Sequence, residues 1–350
     1  DAGLLLELPD GPRERKETQQ KKPGRRLVQL DVNSKGGYVL GIGVNVFSQS
    51  VTLSDLKNQR IARRDLKLSD LTNPDYVIDQ LIREANAMIT EHVPDRRRLL
   101  GAGISISATV NPSAGRVEAS HYLGWPAVPL GQKLSDALGI PIYVENQSNA
   151  QALAETRFGS AKGIKDLLVL NANLGICGSL LLDGHITRGQ NYQAGMIGTM
   201  AAPSGSTLTL DEMAGGVSII RRLHGEGAET SNMPSGELAK RLGSAIASAL
   251  KGDAHTLEAM AEAGRVLGES VSQLVGFIQP DAVMVTGTLA AISAYTNGCR
   301  NAIHANAGNH LTQVLAGTMT AQAAARWVAI DVFLIKRDLN FSDFKLSTTA

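Results

Sequence analysis

Ile140-Pro-Ile-Tyr-Val-Glu-Asn-Gln-Ser-Asn-Ala-Gln-Ala-Leu-Ala-Glu155 reads as three consecutive pieces: a short buried strand, a polar turn and a helix. Ile140, Ile142 and Val144 supply a β-branched run for the strand. The alanine-, leucine- and glutamate-rich run from Ala150 suits the helix. Glu145, Asn146, Gln147 and Asn149 crowd into the turn between them. Open α/β sheets place ligands outside the carboxyl ends of their strands, so these polar side chains form a candidate site. The competing reading is structural: Asn and Ser favour helix N-termini, and Ser148 or Asn149 fits a cap.

The pattern around this stretch is βα-rich. Tyr38–Phe47 and Val51–Leu56 read as paired strands, 74–92 as an amphipathic helix, and Leu99–Ser107 as a buried strand. A helix is expected at 129–138. Residues 166–182 read as a pair of strands broken at Asn171-Ala-Asn-Leu-Gly175. Long helices at about 235–250 and 254–278, a strand at Ala282–Thr286 and further helices complete the chain. No solenoid repeat and no low-complexity segment interrupts it.

At 350 residues, 43% hydrophobic and 19% charged, the chain is long enough for two lobes with separate cores. Its 34 basic and 33 acidic residues nearly cancel, which removes any global attraction to nucleic acid or anionic membrane. The charge is uneven locally. Arg13, Arg15, Lys16, Lys21, Lys22, Arg25 and Arg26 lie close together, offset by Glu14 and Glu17. This basic loop separates a short apolar run at 3–8 from a second strand expected at 26–32. Strand, basic loop and strand is the pattern of a wing that reaches phosphates; a charged tail is the alternative. Cys177 and Cys299, far apart, suit two small buried hydrophobes in a reducing cytosol, not a disulfide framework. No apolar run is long enough to span a membrane and no leader-like pattern is visible, so a cytoplasmic protein is expected.

The Glu145–Ala150 turn resembles the Glu-Asn-Asp-x-Asn-Ala signature of the ROK family, which comprises sugar kinases and sugar-responsive repressors. Tyr38–Val46, Ser120–Pro129, Leu182–Met200 and Asp281–Leu289 extend the resemblance over essentially the whole chain. It implies an α/β, two-lobed actin-like ATPase (ribonuclease-H-like) fold. One lobe is expected at 37–148 and the other at 149–318, with a C-terminal helix at about 320–335 packing back on the first. Gly3-Leu-Leu-Leu-Glu7 and Pro23-Gly-Arg-Arg26 resemble the junction after the wing of a winged helix-turn-helix. Residues 1–33 are therefore expected to be a wing remnant and linker. Its recognition helices are expected upstream, and Arg15, Lys16, Lys21, Lys22, Arg25 and Arg26 are the candidate DNA contacts.

In the family's kinases the Asp of the signature is the catalytic base. Here it is Gln147, whose amide can hold a sugar hydroxyl but has no usable basic site. The first phosphate loop, Asp-x-Gly-Gly-Thr in the kinases, corresponds to Gly43-Val-Asn-Val-Phe47. The second, Gly-Thr-Gly-Ile-Gly-x-Gly, corresponds to Asn173-Leu-Gly-Ile-Cys-Gly-Ser179, and the adenine-side Gly-Gly to Thr286-Gly287. Losing a metal carboxylate and phosphate donors removes several kcal/mol of transition-state stabilisation, so ATP is not expected as a cofactor. The family's zinc-binding His and three Cys are also replaced. Thr199 stands for the His, and 201–211 contains no cysteine, so no zinc is expected.

The sugar-binding Glu positions become Met196 and Asp211; Asp211 alternatively caps the helix that follows it. Trp125 could stack on a sugar face or fill the core. Asn146, Gln147, Trp125 and Asp211 are the candidate ligand residues, with no catalytic residue and no metal ligand. The expected function is a kinase-inactive, sugar-sensing transcriptional regulator, most simply a repressor, acting as a homodimer or higher homo-oligomer on DNA. A ROK carbohydrate kinase and a ligand-free dimerisation scaffold are the alternatives.

Overall fold

The computed structural model describes residues 3–8, 28–202, 207–225, 230, 233–306 and 312–336. Two five-stranded sheets organise them. The chain opens with β1 (Leu5–Glu7) and β2 (Leu30–Val32), then runs through β3 (Tyr38–Val44), β4 (Gln49–Asp55), β5 (Arg60–Leu66) and α1 (Pro74–His92). It continues with β6 (Leu99–Ile106), β7 (Thr109–Asn111), β8 (Arg116–Ala119), α2 (Leu130–Leu138), β9 (Ile142–Asn146) and α3 (Gln147–Phe158). The second half holds β10 (Leu167–Ala172), β11 (Ile176–Leu182), β12 (His185–Ile186), α4 (Leu210–Ala214), α5 (Gly216–His224) and α6 (Ser235–Leu250). It ends with α7 (Ala254–Ile278), β13 (Ala282–Thr286), α8 (Ser293–Asn306), β14 (Gln313–Ala316) and α9 (Ala321–Ile330).

The first sheet has the order β5-β4-β3-β6-β9 and the second β12-β11-β10-β13-β14. The two are built alike. In each, the first three strands in sequence form an antiparallel meander, and the last two add in parallel on the other side of the first strand. Each sheet therefore has a central strand whose two neighbours leave in different ways, which opens a crevice at its carboxyl end. Continuous apolar runs make the inner strands: β6, beside the central β3, and β10 are buried along their whole length. Separate apolar clusters lie in the two halves, one around α1, α2 and the first sheet, the other around α4–α8 and the second.

α9 leaves the second half and packs across β3 and β6. Gly41 and Gly103 allow it to do so. A Cβ on Gly41 would come within 2.8 Å of the Arg326 nitrogen, and one on Gly103 within 2.8 Å of the Ala329 nitrogen. The stacked rings of Phe158 and Trp327, 3.7 Å apart, tie α3 to the same helix.

Several strands depart from the sequence reading. β5, β14 and the β7–β8 pair fall where no strand was expected. β5, Arg-Ile-Ala-Arg-Arg-Asp-Leu, is an edge strand, and β14 has four residues at the other sheet's edge. Charge on an edge discourages pairing with other chains and weakens the hydrophobic signal. β1 pairs antiparallel with β2, extended by Leu8 N–H donating to the Gln29 carbonyl at 2.8 Å. The basic candidates Arg15, Lys16, Lys21, Lys22, Arg25 and Arg26 lie outside the described residues. None of the helices among those residues is long and apolar enough to cross a membrane.

Candidate functional site

A cavity of about 410 Å³ opens at the carboxyl ends of β3, β6, β9 and β10. The first sheet contributes the β3–β4 turn and the β9–α3 junction. The second contributes the β10–β11 turn, and the segments around Met196 and Asp211 close the far side. The sequence motifs, distant along the chain, thus meet at one place.

The β9–α3 junction is rigid. Asn146 is the N-cap of α3: its Oδ1 accepts from the backbone N–H groups of Ser148 (2.8 Å) and Asn149 (3.3 Å), and its Nδ2 donates to the Ala108 carbonyl at 2.7 Å. The cap is therefore Asn146 instead of Ser148 or Asn149. Asn146 lines the cavity while its amide is committed to the turn. Behind it, Glu145 is fully buried. Arg188 grips it with both guanidinium nitrogens (3.1 and 2.7 Å), Tyr143 Oη donates at 3.1 Å, and Asn149 Nδ2 donates at 3.2 Å. Glu145 is thus a structural anchor, and Arg188, from the loop after β12, was invisible to the motif.

Gln147 is 7% exposed and borders the cavity. Its Oε1 accepts from Asn45 Nδ2 at 3.2 Å, and its Nε2 has no partner among the described residues. Asn45 in turn holds its own turn closed, its Oδ1 accepting from Phe47 N–H (2.9 Å) and Ser48 N–H (3.0 Å). Where a kinase of this family would present the carboxylate of the first phosphate loop, this chain has Gly43, and Asn45, two residues on, is an amide consumed by local bonds. Asn173 acts similarly on the second loop. Its Nδ2 donates to Asn171 Oδ1, and its Oδ1 accepts from Thr288 N–H at 2.9 Å, tying the β10–β11 turn to the turn after β13. Both turns are thus held by local amide bonds.

On the opposite wall, Asp211 sits one residue inside α4. Thr209 is the N-cap, in a reciprocal capping box with Glu212, so Asp211 is not the cap. Its Oδ1 accepts from the backbone N–H of Ile176, and its Oδ2 has no partner among the described residues. Burial pushes its carboxyl above the usual range, against the opposing effects of the Ile176 bond and His121. The Tyr122 phenol, also without a hydrogen-bond partner among the described residues, is likewise pushed up, chiefly by burial and then by Asp211. Gly175 lies between the two. A Cβ there would strike Tyr122 Oη and come within 3.0 Å of both Asp211 oxygens. Cys177, with its Sγ 3.0 Å from Ser148 Oγ, is held as a thiol, its pKa raised by burial to about 11.

Trp125 does not belong to this site. It is 3% exposed within the core of the first half, and its indole N–H donates to the Leu71 carbonyl at 2.9 Å. Its core position leaves no ring face for a ligand; Tyr122, three residues earlier, lines the cavity in its place. Met196 is half-exposed at the rim. Thr199 Oγ1 donates to the Met196 carbonyl at 2.9 Å, and no group of His, Cys, Asp or Glu able to hold a metal forms among the described residues. A Thr hydroxyl already spent on a carbonyl does not fit a zinc site.

What remains among the described residues is a mostly apolar cavity with a free amide donor, a free carboxylate acceptor and a free phenol, and no lysine or arginine in its lining. Such a set can orient a hydroxylated ligand without activating it.

Residues 39–327 match the ROK family. A putative xylose repressor from Caldicellulosiruptor sp. (strain Rt8B.4) is 26% identical over 275 residues, covering 75% of this chain and 69% of the relative. The DNA-binding transcriptional repressor Mlc of Escherichia coli K12 is 22% identical, over 76% of this chain and 68% of its own length. Among solved structures, a ROK transcriptional regulator homologous to E. coli Mlc superposes with a TM-score of 0.72 at 19% identity, covering 94% of this chain and 85% of that one. A ROK glucokinase from Streptomyces griseus, in complex with glucose and AMPPNP, superposes at 0.69 with 19% identity, over 85% and 99%. The two-sheet architecture is the actin-like ATPase fold of these neighbours, and the chain belongs to the ROK family.

Proposed function

We propose that this chain is the sensing body of a ROK-type transcriptional regulator, most simply a repressor, whose kinase-like cleft binds a sugar or related polyol without phosphorylating it. One observation carries this reading. At the position of the kinase base stands Gln147, buried beside Asn45, with its unpaired Nε2 on the cavity. An amide there binds a hydroxyl but takes no proton from it. The phosphate loops closed by Asn45 and Asn173 support the same conclusion, as do repressor relatives matched over about two thirds of their length. The cavity chemistry favours an uncharged ligand over a sugar phosphate, because no lysine or arginine among the described residues of the lining balances the carboxylate of Asp211. Gln147 and Asp211 are proposed as the ligand-binding pair. Asn146 shapes the wall between them.

DNA contact is proposed for Arg15, Lys16, Lys21, Lys22, Arg25 and Arg26, in a homodimer or higher homo-oligomer. Support comes from their charge and from the paired β1 and β2 that bracket them.

A thermal-shift series over neutral sugars and sugar phosphates, with and without ATP, tests the sensor reading alongside a coupled phosphorylation assay. A neutral sugar is expected to raise Tm, to do so equally without ATP, and to remain unphosphorylated. Turnover of any sugar restores the kinase reading. A flat response throughout leaves the ligand-free scaffold.

A further inference from the structure

The wall of the cavity carries apolar side chains for which a bare sugar ring has no use. By resemblance, Val46 and Phe47 stand where the kinases' first phosphate loop has its second glycine and its threonine. Leu174 stands at the threonine of the second loop, and Met196 at a sugar-binding Glu. All four positions are apolar in this chain, and all four line the same cavity. Val46 and Phe47 are half-buried and pack against the apolar cluster of the second half, to which Leu174 belongs. Core packing accounts for Leu174, at 1% exposure, but Met196 is 47% exposed at the rim and fills no core.

These residues stand beside the polar groups of the site. Asn45, which bonds Gln147, is followed directly by Val46 and Phe47. Leu174 precedes Gly175, whose Cα lies against Tyr122 Oη and both Asp211 oxygens. Met196 is two residues before Gly198, which lies against Asp211 Oδ1. One ligand can therefore meet hydrogen-bonding groups and an apolar wall at once. The volume of about 410 Å³ falls within the range of about 300–1,000 Å³ typical of sites that enclose drug-sized molecules, and one sugar ring does not fill it. An apolar wall left facing water is unfavourable, and an apolar group that covers it gains in proportion to the area removed from water.

We infer that the ligand of this cavity is a glycoside: a sugar ring held at Gln147 and Asp211, bearing an alkyl or aryl aglycone that lies against Val46, Phe47, Leu174 and Met196. The anomeric oxygen is the position at which a sugar carries such a group while keeping its ring hydroxyls for the polar side chains. A free sugar leaves the apolar wall wet, and a sugar phosphate sets a charge against it. The inference rests on the sensor reading of the cavity and adds to it the chemical class of the effector.

Thermal shift and calorimetry on the intact chain test it with glucose, galactose, mannose and xylose, and with the methyl, butyl and phenyl glycosides of each in both anomeric forms. In at least one series the butyl and phenyl glycosides should bind about tenfold tighter than the methyl glycoside, since each buried methylene is worth up to about fourfold. The heat-capacity change of binding should become more negative as the aglycone grows. Phe47→Ala should reduce the preference for phenyl over methyl glycoside at least threefold. Val46→Thr exchanges a methyl for a hydroxyl at nearly constant volume; it should lower the same preference by a smaller factor, which covers a poorly folded Phe47 variant. A free sugar that binds as tightly as its butyl and phenyl glycosides overturns the inference and leaves the sensor reading standing. A preference that neither variant reduces does the same. Absence of binding by every sugar and glycoside removes both.

Discussion

At the scale of single residues, the proposed site rests on Gln147 and Asp211. Gln147→Asp restores the family's carboxylate, yet Asn45 and Asn173 still occupy the loops where a nucleotide's phosphates belong. A coupled assay should therefore detect no sugar-dependent ATP turnover in this variant. Asp211 allows a pH prediction. Its folded pKa lies above its unfolded value, so between the two the native state binds more protons and stability falls as pH rises. Asp211→Asn removes this dependence. Thermal melts at neutral pH should show the ligand-free variant at least as stable as the parent, while its sugar-induced shift is reduced or lost. A variant equally responsive to sugar would remove Asp211 from the site. Cys177 supplies an independent probe. With its pKa near 11 the thiolate is scarce at pH 8, but the side chain borders the cavity, whereas Cys299 is fully buried with a pKa near 12. Slow maleimide labelling should fall on Cys177 first, and a bound sugar should protect it.

At the scale of elements, the β9–α3 junction shows what holds the cavity open. Removing charge with Glu145→Gln leaves Arg188 half-buried without its counter-ion, and loss of one partner of a buried pair costs about 3 kcal/mol. Chemical denaturation should show a drop of that order, against about 1 kcal/mol for loss of the Asn146 cap in Asn146→Ala. The same junction marks how far the sequence was legible. Its strand, turn and helix follow from a β-branched run meeting an alanine-rich one, and α1 was readable from its periodicity because each is a local pattern. Edge strands β5 and β14 were not readable, since their pairing partners, rather than their own residues, make them strands. At the site, Gln147 and Asp211 could be found from motif positions. Asn45 and Tyr122 reach it by tertiary contact, as Arg188 reaches the buried Glu145 behind it, and Trp125 shows the converse: an aromatic residue beside the site in sequence whose indole N–H is satisfied within the core.

At the scale of the whole molecule, α9 carries the chain from the second sheet back to the first, and it also touches the cavity's support. Gln322 Nε2 donates to Ser48 Oγ, Ser48 N–H donates to Asn45 Oδ1, and Asn45 Nδ2 donates to Gln147 Oε1. A ligand that fixes Gln147 would therefore favour one seating of α9 over others, if the two seatings differ in these bonds. Gln322→Ala touches no cavity-lining atom, yet it should weaken sugar binding several-fold, and hydrogen exchange should no longer report ligand-dependent protection in α9. Normal affinity and retained protection would show that α9 is passive. The proposed contact with DNA is tested by salt. On duplex DNA, each lost phosphate contact should lower the slope of log K against log salt concentration by about 0.9. Neutralising Arg25 and Arg26 together should therefore flatten that slope by nearly two, with no change in the thermal response to sugar. If the slope does not move, the basic stretch between β1 and β2 is not a wing on DNA.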